Sequence, residues 1–145
     1  MKKKDIFVSS MVTLSILVII FYFVTVVFSE PERNLEKVSS EVSLNSNELV
    51  ASFLTDEEKS NELYVDKILE VVGFVKEVTF LNKRITVLLY SKNNDAGIIC
   101  DIDKNQIEKV KTLKKHQEIK IKGICKGFLK DVVLLNCYID LKTNE

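Results

Sequence analysis

Hydrophobic positions follow three successive rhythms along this chain. From Ile6 to Phe28 there are 23 consecutive residues without a charge, most of them Ile, Val, Leu or Phe. At about 1.5 Å per residue, such a run makes a helix of roughly 34 Å, enough for a ~30 Å hydrocarbon core with some tilt. A bilayer accepts the run only as a helix, because every backbone N–H and C=O must be bonded internally. Ser9, Ser10, Thr13, Ser15 and Thr25 interrupt it, and their hydroxyls can bond back to the helix. A secretory signal has an apolar part of about 7 to 15 residues ending in small side chains. The exit here reads Val26-Val27-Phe28-Ser29-Glu30-Pro31, with no cysteine for lipid attachment, so an uncleaved anchor is expected.

The second rhythm is helical but interrupted. Residues 29–43 are polar, hold the only proline, and show Leu35, Val38 and Val42 as isolated apolar positions, the pattern of a tether. Asn45 with Glu48 three residues later makes a capping box, with Leu44 and Leu49 as the flanking staple. Leu49, Val50, Phe53 and Leu54 then form an apolar stripe at helical spacing. One such stripe predicts a helix that covers the core of its own domain.

From Tyr64 the period becomes two. A long strand runs from Val65 to Phe80, with Gly73 as a bulge or bend. Asn82-Lys83-Arg84 makes a turn, and strands are predicted over Ile85–Tyr90, Ile98–Ile102, Glu118–Phe128 and Val132–Ile139. Asp103 caps a short helix between the third and fourth strands, with Gln106 at the capping-box position and Ile102 stapled to Ile107. Small all-β domains hide their sheet edges by closing into barrels. Three strands, a helix and two strands fit the five-stranded Greek-key barrel called the OB-fold. The chain therefore divides into a cytoplasmic N-terminus (1–5), a transmembrane helix (6–28), a linker (29–43), a flanking helix (44–63), an OB-type domain (64–141) and a tail (142–145).

Particular residues of this pattern also resemble a known family. Tyr64-Val65-Asp66-Lys67-Ile68-Leu69-Glu70-Val71-Val72-Gly73 is similar to the opening strand of the tRNA_anti-like OB-fold family. Ile98-Ile99-Cys100-Asp101, the run Ile119 to Gly127, and Asp131-Val132-Val133-Leu134-Leu135-Asn136-Cys137 are similar to its later strands. The resemblance implies a bacterial protein, membrane-anchored or exported. The family name records likeness to anticodon-binding domains and is no evidence of tRNA binding.

Charge changes the picture in two places. Lys and Arg number 21, as do Asp and Glu, so the net charge is zero and no whole-chain case exists for a nucleic-acid binder. Lys2, Lys3 and Lys4 precede the apolar run while Glu30, Glu32 and Glu36 follow it, which places the N-terminus in the cytoplasm and the rest outside. Residues 30–70 carry eleven acids against four bases, whereas 104–130 carry nine lysines against two glutamates. Lys111, Lys114, Lys115, Lys120 and Lys122 form a candidate face for an anion, or a surface that attracts the acidic half of the same molecule.

Strand alternation turns Cys100 (with Ile98 and Ile102), Cys125 (with Ile119 and Ile121) and Cys137 (with Val133, Leu135 and Ile139) toward the barrel interior. Two readings stand: buried thiols, or a disulfide permitted by an exported location. A turn at Leu129-Lys130 sets Cys125 opposite about Leu134, too far from Cys137 without a bulge or a different turn; Cys100 with Cys137 is a second candidate pair. Tyr90 is the single aromatic that the second and third strands offer for stacking a base; Phe74, Phe80 and Phe128 are assigned to core or rim. His116 stands alone, Asp101-Ile102-Asp103 fails as a calcium loop, and no nucleophile motif is present. No catalytic, metal or cofactor site is expected. The expectation is a single-pass protein of the bacterial inner membrane that presents an OB-type binding or scaffolding module to an envelope protein, a glycan or the membrane. Nucleic acid is disfavoured; its place is in the rival reading, a tethered nucleic-acid binder facing the cytoplasm.

Overall fold

The computed structural model describes residues 3–28, 35–92 and 95–141, with side chains of the first helix described from 10 to 26. The expected tail and residues 29–34 of the expected linker lie outside the described residues. Two units result, residues 1–33 and 34–145.

The first unit is helix α1, Lys3–Phe28, which begins three residues before the apolar run. Thr13 Oγ1 donates to the Ser10 carbonyl and Thr25 Oγ1 to that of Tyr22, both at 2.9 Å, so these hydroxyls are satisfied within the helix. Its large apolar side chains are exposed, Phe21 at 71 %. Among the described residues no helix is long and apolar enough to cross a membrane.

The second unit begins earlier than its polar sequence implies. Leu35, expected in a tether, is fully buried against Ile68, Tyr138 and Ile124. Strand β1, Val42–Asn45, then pairs in parallel with residues 69–72 of β2, Ile68–Leu81. What reads as linker is thus partly a sheet strand. Asn45 ends β1 and caps α2, Ser46–Thr55, with the capping box formed: Glu48 N–H donates to Asn45 Oδ1 at 3.0 Å, and Asn45 N–H to Glu48 Oε2 at 3.1 Å. Leu49, Val50 and Phe53 enter the core, but Leu54 is half-exposed. The single expected helix is broken at Asp56. An extended backbone there (φ −154°) ends α2, and its side chain caps α3, Glu57–Tyr64.

Strand β2 has a different neighbour on each side. Its first half pairs with β5 (Glu118–Phe128) from Ile68↔Ile124 to Phe74↔Glu118, and its second half pairs with β3 (Arg84–Leu89). Gly73 lies near the changeover, where a Cβ would stand 2.9 Å from Ser46 Oγ and 3.2 Å from Leu89 Cδ1. The β2–β3 hairpin turns on Asn82 (φ 49°) and Lys83 (φ 66°), both left-handed, the two-residue turn that matches strand twist. β3 pairs with β4 (Ile98–Ile102), β4 runs parallel to β6 (Val132–Asp140), and β6 returns to β5. With the β2–β5 pairing, five strands close on themselves, and β1 takes the other edge of residues 69–72 of β2, which pair with β5.

Between β4 and β5, Asp103 caps a 3-10 turn, Lys104–Gln106, that leads into α4, Ile107–Lys111. The expected capping box with Gln106 does not form, because Asp103 Oδ1 accepts from Asn105 N–H and the Gln106 side chain is buried. Ile107 faces outward instead of stapling to Ile102. One cluster fills the barrel, with Leu69, Val71, Val87, Leu89, Ile98, Ile121 and Leu134 at its centre and Phe53 and Val110 brought in by the helices.

Candidate binding face

Cys100, Cys125 and Cys137 are all fully buried and all free thiols, so the disulfide reading is replaced by the buried-thiol one. Cys125 stands opposite Leu134, as the turn length predicts. Cys137 points inward for a reason that alternation misses. Asn136 is left-handed (φ 53°) and forms a bulge, so Val132, Leu134, Cys137 and Ile139 face the core while Val133 and Leu135 do not. Burial pushes the Cys125 thiol up, only partly countered by a backbone hydrogen bond from Gly127. Burial pushes Cys137 well above the ordinary thiol range, aided by a hydrogen bond with the Cys100 thiol. Protonated, enclosed thiols are poor nucleophiles.

The lysine face is divided, and two of its five lysines are paired with the molecule's own acids. Lys120 Nζ lies 3.3 Å from Glu70 Oε1, Lys122 Nζ donates to the Val38 carbonyl at 2.8 Å, and Lys111 Nζ lies 2.8 Å from Glu108. Lys120 and Lys122 line a groove of about 220 Å³ with Lys109, but Glu36, Glu70 and Asp140 line it too, so three cations meet three anions. Lys111, Lys114 and Lys115 do not line this groove. The structure therefore does not gather the five lysines into one anion site. Leu35, Glu36 and Tyr138, which complete the groove, carry no signal in sequence because their segments meet only in the fold.

OB-type barrels bind ligands across their second and third strands and the loops beside them. Those strands are β3 and β4 here. Their outer surface carries Leu88, paired with Ile99, which is paired in turn with Val133, a half-buried aliphatic row. Tyr90 is not free for stacking: its ring lies 5.2 Å from that of His116 at 8°, with Lys76 Nζ 5.8 Å from its centroid. Phe128 packs on Phe53 at 5.9 Å, whereas Phe74 and Phe80, expected in core or rim, are about half-exposed. A second groove, open and about 810 Å³, runs beside α2 past Ala51, Leu54, Ser91 and Lys92. Among the described residues no group of His, Cys, Asp or Glu could hold a metal ion.

A closed five-stranded barrel with an aliphatic outer row is an OB-type domain, and comparison with known proteins gives its kinship. The tRNA_anti-like family model matches residues 1–139, so the chain belongs to that family. No curated protein matches it in sequence. Among solved structures it is similar to a lipoprotein of Klebsiella pneumoniae named as a candidate nucleic acid-binding protein, at TM-score 0.56 and 13 % identity, over 68 % of this chain and 92 % of that one. Looser likeness is found to a Stn1–Ten1 complex of S. pombe (TM-score 0.41, 9 % identity, 52 % and 59 % covered). An asparaginyl-tRNA synthetase of Pyrococcus horikoshii stands at the same level (0.40, 15 %, 53 % and 20 %).

Proposed function

We propose that this protein is a single-pass membrane protein whose OB-type barrel serves, outside the cytoplasm, as a non-catalytic binding or scaffolding module. The observation that carries this reading is α1: a 26-residue helix whose described apolar side chains stand exposed and require a cover that water does not provide. The lysines before it and the glutamates after it favour an N-in orientation. The barrel interior is filled by side chains and burial raises its Cys125 and Cys137 thiols, which leaves the outer surface as the part that acts. The aliphatic row Leu88–Ile99–Val133 suits an envelope protein or the membrane surface; a glycan would need the open groove beside α2, where Glu48 and Lys92 are among the lining residues.

The rival reading is a cytoplasm-facing nucleic-acid binder. It draws on the name of the Klebsiella lipoprotein, which shares the fold. Against it stand the stacked Tyr90 and the neutralised lysine groove. A topology assay separates the two. Alkaline phosphatase fused after residue 145 is active only outside, and an ordinary green fluorescent reporter there is bright only inside. Phosphatase activity together with retention of the chain in alkali-washed membranes is the expected result; a bright green reporter supports the rival, and release by alkali removes the anchor.

A further inference from the structure

Among the described residues of the barrel unit, the tip of the β2–β3 hairpin is the one place where two large apolar side chains adjacent in sequence stand in solvent. Phe80 is 53 % and Leu81 65 % exposed. The hairpin overhangs the sheet there: β3 pairs with β4 only from Leu89 to Thr86, whereas β2 and β3 continue to Phe80↔Ile85 and Leu81↔Arg84. Two cations follow at once. Lys83 forms no ion pair among the described residues, and Arg84 lies 3.3 Å from Asp101 with its side chain 75 % exposed. The same hairpin carries Lys76 and Glu77, which balance each other.

We infer that this tip docks on an anionic lipid surface, with Phe80 and Leu81 in the headgroup–acyl boundary and Lys83 and Arg84 at the phosphates. A protruding two-residue turn offers a partner no concavity, but it suits a fluid surface that closes around it. Aromatic rings are favoured at that depth, and juxtamembrane cations are attracted to acidic lipids. Leu129, 89 % exposed, also lies between an aromatic and a cation, but Phe128 packs on Phe53 and Asp131 follows Lys130, so a single apolar side chain stands out there with its cation balanced.

The inference rests on the membrane reading of α1, and the test keeps the two apart. The chain contains no tryptophan, so a single one reports its own surroundings. Full-length Phe80→Trp, Leu81→Trp, Leu129→Trp and Phe21→Trp are each reconstituted in phosphatidylcholine vesicles with and without phosphatidylglycerol, using lipids brominated at shallow or deep positions. Expected are blue-shifted emission and shallow quenching at 80 and 81, strengthened by phosphatidylglycerol, with residue 129 open to aqueous quencher and residue 21 quenched from the deep position. Lys83→Gln should shift the docked population about fivefold toward the undocked one, the effect of roughly one cation at the surface. Quenching at 21 with water-exposed emission at 80 and 81 overturns the hairpin inference alone. Equal quenching at 80 and 129 overturns it as well, as does shielding of 80 that follows protein density instead of lipid composition, the mark of a protein contact. A residue 21 out of reach of deep bromines overturns the membrane reading and this inference with it.

Discussion

Replacing Gly123 by alanine tests the packing of the barrel at its tightest point. The residue lies on the inward parity of β5, opposite the Asn136 bulge of β6. A Cβ there would stand 2.5 Å from Cys137 Sγ, 3.2 Å from Leu134 Cβ and 3.3 Å from Leu135 O. Carbon and its neighbours rest at about 3.5–4.0 Å, so the sulfur must move by more than 1 Å. Cys137 is fully buried and hydrogen-bonded to the Cys100 thiol, which leaves it nowhere to go. Overpacking of this kind costs up to about 3 kcal/mol. Removing a strand glycine returns some 0.5–1 kcal/mol, so the net loss should be about 2 kcal/mol. Cys137→Ala alone should cost about 1 kcal/mol, the value of one buried heavy group. In the double variant the collision is gone. Its loss should stay close to that of Cys137→Ala, a coupling of at least 1 kcal/mol, reduced from the ideal by the two backbone-side contacts that remain. Near-UV circular dichroism of the full chain in detergent reads this directly. About 4 °C per kcal/mol predicts a Tm lower by about 8 °C for Gly123→Ala and a partial return on adding Cys137→Ala. A Gly123→Ala protein that melts like the wild type, or strictly additive losses, would refute the account of this contact.

Three further predictions concern features of the same unit. Leu35→Ala should lower stability by about 2–3 kcal/mol, measured by thermal melting, although the residue lies in a polar stretch; a tether residue would cost nothing. Asn45→Ala should cost about 1 kcal/mol and speed amide exchange in the first turn of α2, since both arms of its capping box are lost. The raised thiols give a pH dependence of defined sign. The unfolded chain releases thiol protons from about pH 8.5 while the folded one keeps them, so stability is complete below that pH and declines above it. Melts between pH 7 and 10 should show this decline, weakened in Cys137→Ala, and an equal slope in that variant would count against it.

Much of the barrel is legible in sequence because its strands alternate cleanly. Ile98–Ile102 and Glu118–Phe128 have the bounds that period-two reading assigns them. The Asn45 capping box and the left-handed Asn82-Lys83 turn are local chemistry, and local chemistry shows in a short window. What escapes is set by distant partners. β1 has four residues and takes its identity from a parallel neighbour 27 positions on, and Leu35 from a pocket built by Ile68, Tyr138 and Ile124. Asp56 ends one helix and starts the next with a single side chain, which a continuous apolar stripe conceals. Cys137 faces inward only because Asn136 adds one residue to its strand, so simple alternation reaches the right side for the wrong reason. Of the two readings of the lysine face, the attraction to the acidic half of the molecule is visible at Lys120, which pairs with Glu70, but counting charges along the chain cannot say which acid meets which lysine.

The place of β1 matters to anyone who would release the barrel from its helix. The obvious cut is before the well-marked start of α2, but a fragment opening at Ser46 would strip the cover from residues 69–72 of β2 and empty the seat of Leu35. Bare strand backbone recruits other strands, so such a fragment should clump where one opening at Asn34 stays dispersed. The polar run that looks expendable is the selvedge that keeps this sheet from fraying into its neighbours.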